Sequence, residues 1–83
     1  MIIEIPPYSK EDGLTISWSG NFIIETSYSD KTIQIRANKA GLESLAIQLL
    51  TLAQDNVDAG AHIHYDDSNS LEDGSVELII ERA

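Results

Sequence analysis

The clearest hydrophobic pattern in the chain runs from Asn38 to Asp55. Its apolar residues recur at steps of three and four positions, which places them on one side of an α-helix with 3.6 residues per turn. This stripe consists of Leu42, Leu45, Ala46, Leu49, Leu52 and Ala53, and Ile47 and Leu50 widen it. Asn38 is a preferred N-cap residue, and Asn56 favours the left-handed conformation that ends many helices. We predict one helix here, with its apolar stripe facing the core.

Other segments alternate apolar and polar residues, as β-strands with one buried face do. The predicted strands are residues 2–5, 14–18, 22–28, 32–37, 62–66 and 75–82. Pro6 and Pro7 restrict the first of these to a sheet edge, because proline cannot donate to a strand ladder. The side chains expected to face inward are Leu14, Ile16, Phe22, Ile24, Ile33, Ile35, Ile63, Val76, Leu78 and Ile80.

The order of these elements is strands, then a helix, then strands. Strands with a single apolar face are typical of antiparallel sheets, which leave their other face in water. We therefore predict an α+β fold with two layers, in which one helix packs on one face of a mainly antiparallel sheet of four to six strands. With 83 residues, the chain is expected to form a single domain over residues 1–83.

The sheet face turned away from the helix is expected to be polar, with two apolar exceptions, Ile23 and Ile79. On the strand 62–66, His62, His64 and Asp66 project from this same side, and two imidazoles with a carboxylate can bind a metal ion. The same pattern also suits a plain polar face, and no residue at a fixed offset supplies a fourth ligand. We assign no metal, cofactor or catalytic residue, because the chain has neither a nucleophile turn nor a phosphate-binding loop.

Charge narrows the range of partners. Fourteen acidic and five basic residues give a net charge of −9, which disfavours binding to nucleic acids and to anionic membranes. The loops are especially acidic, with Asp55 and Asp58 after the helix and Asp66, Asp67, Glu72 and Asp73 before the last strand. A basic protein partner is therefore favoured. The absence of cysteine, and of a secretory signal pattern over residues 1–7, leads us to expect a cytoplasmic protein.

The last part of the chain resembles a known family. The segments that carry the resemblance are Ala37–Leu42, Leu45–Ala46, Leu49–Gln54, Gly60–His64, Asp66 and Ser70–Ile80. Together they resemble immunity protein 32, a family of small proteins of bacterial polymorphic toxin systems. The resemblance implies an antitoxin that binds a cognate toxin domain and blocks it without chemistry of its own. It implies contacts by His62, His64, Asp66, Ser70, Leu71, Glu72 and Asp73, to which we add Asp67 from the same acidic loop.

Three hypotheses follow from the sequence. The first is a non-enzymatic immunity protein that binds a basic toxin domain through its acidic loops and open sheet face. The second is a small homodimeric binding module whose open faces pair around Ile23 and Ile79. The third is a metal-binding or hydrolytic domain that uses His62, His64 and Asp66.

Overall fold

A computed structural model describes all 83 residues of the chain. Its elements are β1 (Ile24–Ser29), β2 (Thr32–Ala37), α1 (Lys39–Leu52), β3 (His62–Tyr65) and β4 (Leu78–Glu81). The α+β prediction is confirmed. The predicted sheet of four to six strands is replaced by two antiparallel sheets of two strands each, β1–β2 and β3–β4. The predicted strands over residues 2–5 and 14–18 do not form.

The two sheets meet through an irregular connection. The residues that precede β4 run beside β1, where the Glu72 amide donates to the Ile24 carbonyl at 3.0 Å and the Val76 amide donates to the Thr26 carbonyl at 3.2 Å. The amide of Thr26, however, donates to the Ser75 hydroxyl rather than to a backbone carbonyl. Because this side-chain bond interrupts the backbone ladder, the two sheets do not fuse into the single sheet that alternation predicted.

The β1–β2 hairpin turns at Asp30 and Lys31, which have φ angles of 50° and 61°. Positive φ at both central residues is the mark of a two-residue turn whose twist matches that of the strands. Beyond this turn, the prediction that Ile33 and Ile35 lie in the core is wrong, since they are 69% and 42% exposed. Residues 32–36 are all exposed, because neither the helix nor another segment covers this end of the hairpin.

Helix α1 begins as predicted and ends differently. The Asn38 side chain accepts the Gly41 amide at 2.8 Å, which confirms its role as N-cap. The helix ends at Ala53 in a right-handed conformation, so the predicted left-handed cap at Asn56 is wrong. Instead, the Arg82 guanidinium donates to the carbonyls of Leu52 and Gln54, both at 2.8 Å. A cation from the C-terminal segment thereby satisfies the last carbonyls and the negative end of the helix dipole.

The buried side of α1 is rotated by roughly a quarter turn from the predicted apolar stripe, at about 100° per residue. The buried residues are Gly41, Ser44, Leu45, Gln48, Thr51 and Leu52, so only two leucines of the stripe face the core. Leu42 and Leu49 are 57% and 49% exposed. The prediction that the whole stripe faces the core is therefore wrong.

The rotation is explained by residues 6–19, a segment without regular secondary structure that we call the N-terminal strap. Ser44 Oγ accepts the Ser19 amide at 2.8 Å, and the Gln48 side-chain amide donates to the Ser17 carbonyl at 3.1 Å. Just beyond the helix, the Gln54 side chain bonds the strap again, at Pro6 and Tyr8. Polar side chains of the helix thus supply hydrogen bonds that a neighbouring strand would otherwise supply.

The core lies between α1, the strap and the inner faces of the sheets. Its buried cluster is Ile24, Leu45, Leu52, Ile63, Tyr65 and Leu71, and the residues packed against it include Leu14, Ile16, Trp18, Phe22, Leu78 and Ile80. The Trp18 ring stacks on Phe22 with centroids 4.4 Å apart and meets Tyr65 edge-on at 6.2 Å. Val76, predicted to be inward, is 42% exposed, because its segment leaves the regular ladder before β4. Helix α1 lacks the length and apolar composition that crossing a membrane requires.

A substitution at Gly41 tests how closely α1 approaches the hairpin. A Cβ at this position would lie 2.5 Å from the Ile23 carbonyl oxygen and 3.0 Å from the Ile24 side chain. We expect Gly41→Ala to lower the free energy of unfolding by at least about 1 kcal/mol, although alanine favours a helix by about 1 kcal/mol over glycine. The matched control is Gly20→Ala, whose Cβ meets nothing within 4 Å. Urea unfolding that showed the Gly41 variant to be as stable as the wild type would contradict the packing described here.

The burial of Tyr65 is tested at alkaline pH. Its side chain is fully buried, and its hydroxyl donates to the Gln48 side chain at 2.5 Å. Burial raises the pKa of Tyr65 from 10.0 to about 12. Between these values the unfolded chain loses this proton while the folded protein keeps it, so stability is full below pH 10 and falls as the pH rises towards 12. We expect a loss of up to about 3 kcal/mol from this group. In Tyr65→Phe the loss of unfolding free energy at alkaline pH should be smaller by that amount. Equal slopes of unfolding free energy against pH in the two proteins would contradict the burial of Tyr65.

Candidate functional site

The outer face of the β3–β4 sheet is the clearest candidate site. Ile63 and Tyr65 turn into the core, as predicted, and the alternation of the strand therefore turns His62 and His64 outward. The strand register places Glu81 opposite His62 and Ile79 opposite His64. All four of these outward side chains are exposed. We call this surface, together with Asp66 and Glu77 at its end, the outer β3–β4 face.

His64 lies at the centre of a charged cluster. Its Nε2 atom is 3.2 Å from Glu77 Oε1 and 3.8 Å from Asp66 Oδ2, so the imidazole forms an ion pair with these carboxylates whenever it is protonated. The three side chains are 44%, 61% and 29% exposed, in the order His64, Glu77 and Asp66. Water therefore screens the cluster, which contributes little to the stability of the fold.

His62 does not join this cluster. Its Nδ1 atom lies 3.0 Å from the Gly60 carbonyl oxygen, in the loop before β3. Neither the cluster of His64, Glu77 and Asp66 nor any other group of three histidine or acidic side chains converges in a way that would hold a metal ion. The spacing of His62, His64 and Asp66 thus places the three on one side of the chain without bringing them together around one point.

Asp66 organises the loop that follows β3. Its Oδ1 atom accepts both the Ser68 amide at 2.9 Å and the Ser68 hydroxyl at 2.7 Å. Its backbone carbonyl accepts the amides of Asn69, Ser70 and Leu71. The hydrogen bonds from the Ser68 hydroxyl and amide lower the pKa of Asp66, and His64 adds a smaller effect in the same direction. The carboxylate is therefore held ionised, with one oxygen in the loop and the other towards His64.

The other predicted contact residues have different surroundings. Leu71 belongs to the buried core, where it fixes the loop to the fold, and its side chain is not available at the surface. Glu72 and Asp73 are exposed, and Asp67 is exposed while its carboxylate accepts the Gly74 amide at 3.4 Å. Ser70 is half-buried, and its hydroxyl donates to the Asn69 side chain. The exposed acidic residues of this loop form a rim at the end of the outer β3–β4 face.

This rim continues towards the other sheet. A shallow polar hollow is lined by Asp73, Gly74 and Ser75 on one side and by polar residues of β1 and β2 on the other. Among these, Arg36 lies 3.6 Å from Glu25 in an exposed ion pair. Ile23 and Ile79 are 46% and 53% exposed, but Ile23 precedes β1 whereas Ile79 lies in β4 of the other sheet. The face is thus acidic along most of its length, with Ile79 as the large apolar side chain of its β3–β4 part.

Glu77 is the residue of this cluster that the predicted contact set does not contain. It is outward by alternation, but its approach to His64 depends on the register of β3 against β4. The register follows from a loop of about a dozen residues whose path the local pattern does not determine. The signal in the sequence that points to Glu77 is a polar residue at an outward position, on a strand beside the one that contains the two histidines.

These features describe a small α+β protein whose most distinctive surface is an exposed, acidic sheet face. Comparison with known proteins agrees with the sequence resemblance: the model of the family described as Immunity protein 32 matches residues 32–83. Because the match covers more than half of the chain, the protein belongs to the Immunity protein 32 family. No curated protein and no solved structure gives a significant match.

The role of Asp66 in the loop is tested by comparing Asp66→Ala with Asp66→Asn. The alanine variant removes the acceptor of the Ser68 amide, so we expect that amide to exchange with solvent at least about tenfold faster. The asparagine variant keeps a side-chain oxygen at this place and should retain most of the protection, although it removes the charge that faces His64. Hydrogen exchange followed by NMR measures both, and equal protection of Ser68 in the wild type and in Asp66→Ala would contradict this assignment.

Proposed function

We propose that the protein is a non-enzymatic immunity protein, which binds a cognate bacterial toxin domain and blocks it by covering its surface. The observation that carries this proposal is the membership of the Immunity protein 32 family, whose matched region contains the whole outer β3–β4 face. Every residue of that face and of the acidic loop beside it lies within residues 32–83. The family name supports the antitoxin role, and the exposed surface supplies the contacts.

The surface is suited to a basic protein partner. Glu77 and Glu81 lie on the outer β3–β4 face, and Glu72 and Asp73 extend the same charge along the rim. With a net charge of −9, the whole molecule attracts a positively charged domain over a distance and raises the rate of encounter. Lysine and arginine side chains of the toxin would then pair with these carboxylates. We infer that charge governs the rate of association and the orientation of the complex.

Affinity requires a contact that excludes water, since exposed charge pairs contribute little by themselves. Ile79 is the outward apolar residue of β4 and is 53% exposed, with His64 directly opposite on β3. Covered by a toxin side chain, Ile79 would supply the centre of the interface and the surrounding carboxylates its rim.

Cytoplasmic location and action on a toxin made by the same cell or delivered by a neighbour are parts of this proposal. A protein that acts by occupying a surface has to be present where the toxin acts, and in an amount that matches it. Neither its presence beside the toxin nor its covering of the toxin surface requires a cofactor or a reaction on the immunity protein itself.

The test uses the toxin domain encoded beside this protein, with binding measured by calorimetry and protection measured as growth during toxin expression. We expect Ile79→Asp to weaken binding at least about tenfold, because it places a charge at the centre of the interface. Glu77→Lys should also weaken binding, more at low than at high salt, since screening reduces the contribution of exposed charges.

The matched control is Glu11→Lys, which makes the same change of charge in an exposed turn outside the proposed surface. Its affinity should stay within about twofold of the wild type, because it removes no contact and leaves the protein strongly acidic. Failure of the wild-type protein to bind or protect would overturn the proposed function. Equal losses for Glu11→Lys and Glu77→Lys would show that overall charge, rather than the outer β3–β4 face, governs binding.

A further inference from the structure

The rotation of α1 leaves an apolar strip of the helix uncovered. The strip consists of Leu42, Ala46, Leu49 and Ala53, which we call the helix seam. Leu42 and Leu49 are 57% and 49% exposed, and the neighbouring Leu50 is 48% exposed. The members of the seam follow one another at steps of four, three and four residues, which is the spacing that lets one helix pack along another.

The charges at the two ends of α1 indicate what covers the seam. Lys39 is the first residue of the helix, its side chain is 86% exposed, and it forms an exposed ion pair with Glu43 at 4.0 Å. The first turn itself contains no acidic residue. Asp55 follows the other end, where the last turn itself contains no basic residue and the only cation at the helix end is Arg82, which donates to the Leu52 and Gln54 carbonyls. Both charges have the sign that the helix dipole disfavours at their own end. An antiparallel helix with the same ends would bring an aspartate to Lys39 and a lysine to Asp55.

We propose that the helix seam is a self-association surface, on which a second copy of this chain packs its own α1 in the antiparallel direction. A twofold axis between Ala46 and Leu49 would place Leu42 of one copy against Ala53 of the second copy, and Ala46 against Leu49. Each large side chain then meets a small one, which permits close packing of the two helices. Such an arrangement is self-complementary and closes as a dimer.

The pairing is weak and depends on concentration. One helix of 14 residues offers less area than a stable interface, which buries about 800 Å² on each partner. The two copies also repel each other, since each has a net charge of −9. At about 0.15 M salt the screening length is about 8 Å, which reduces this long-range repulsion more than the attraction between Lys39 and Asp55 at contact. We therefore expect dimerisation in the range of tens to hundreds of micromolar, about the affinity of weak interfaces.

This surface is separate from the one proposed to bind a toxin. Ile63 and Tyr65 pack inward with Leu45 and Leu52 of the helix, so the outer β3–β4 face and α1 lie on different sides of that sheet over most of their length. They approach each other at one end, where Leu49 and Ala53 line a shallow hollow with Glu81. The helix seam is also distinct from pairing around Ile23 and Ile79. The inference therefore does not rest on the proposed function, and a dimer formed through the seam would leave His64, Glu77 and Ile79 of each copy free.

Sedimentation equilibrium of the full chain at about 0.15 M salt, over a wide range of concentration, provides the first test. The wild type should change from monomer to dimer, and Leu42→Glu and Leu49→Glu should each weaken the dimer at least about tenfold. Glutamate favours helices, and circular dichroism confirms that each variant folds. The matched control is Ile33→Glu, at an isoleucine of β2 that is 69% exposed, and it should leave the dimer unchanged. A monomer at all concentrations, or a dimer that only the Ile33 variant weakens, would overturn the proposal.

Charge reversal provides the second test, because it distinguishes antiparallel helix pairing from any other contact of this strip. Lys39→Glu and Asp55→Lys should each weaken the dimer about threefold or more, and the combined variant should recover most of the loss. Losses that add in the combined variant would overturn the antiparallel arrangement.

The same variants distinguish the second copy from the toxin as the occupant of the seam. Leu49→Glu should bind the toxin domain encoded beside this protein as tightly as the wild type does. Loss of toxin binding in Leu49→Glu, with binding kept in Ile79→Asp, would assign the seam to the toxin and overturn self-association. A toxin that binds neither protein overturns the proposed function only, since sedimentation measures the dimer without it.

Discussion

The fold depends on hydrogen bonds between polar side chains of α1 and the backbone of the N-terminal strap. The strap has no neighbouring strand, yet its amides and carbonyls lie against the helix and require partners. Ser44 and Gln48 supply them from inside the helix, at Ser19 and Ser17, and Gln54 supplies them beyond its end. Because these three side chains must face the strap, they determine how the helix is rotated about its own axis.

The same interaction extends to the candidate site. Gln48 is fully buried and bonds both the strap and the hydroxyl of Tyr65, so one side chain joins the N-terminal segment, the helix and β3. With Tyr65 fixed inward, the period of the strand fixes His64 outward. Ser68 and the backbone around Asp66 then hold the loop that follows. The orientation of the outer β3–β4 face is therefore set from the core, by a residue that never reaches the surface.

Sequence patterns predicted the parts of this structure that are local. The N-cap at Asn38, the hairpin strand over residues 32–37 and the outward direction of His62 and His64 each depend on neighbours a few positions away. The rotation of the helix depends on the bonds between Ser44 and Ser19 and between Gln48 and Ser17, which join residues 25 and 31 positions apart. The sequence pattern predicts that the apolar stripe faces inward, because serine, threonine and glutamine usually face water. The contact of Glu77 with His64 was missed for a related reason, since register is a long-range property.

A comparison of two free energies, the gain from burying leucines and the cost of losing hydrogen bonds, explains why the helix keeps its polar side inward. Rotating α1 by a quarter turn would bury Leu42 and Leu49, which are already about half covered, and would gain about 2–3 kcal/mol in total. The same rotation would withdraw the partners of the Ser19 amide, the Ser17 carbonyl and the Tyr65 hydroxyl. A fully buried polar group left without a partner costs about 1–3 kcal/mol, which applies to the Tyr65 hydroxyl. The Ser19 amide and the Ser17 carbonyl are part-buried and add smaller costs, so the total loss is at least comparable with the gain. The exposed leucines of α1 are thus a consequence of satisfying the strap, and an uncovered apolar strip is the state that the monomer prefers.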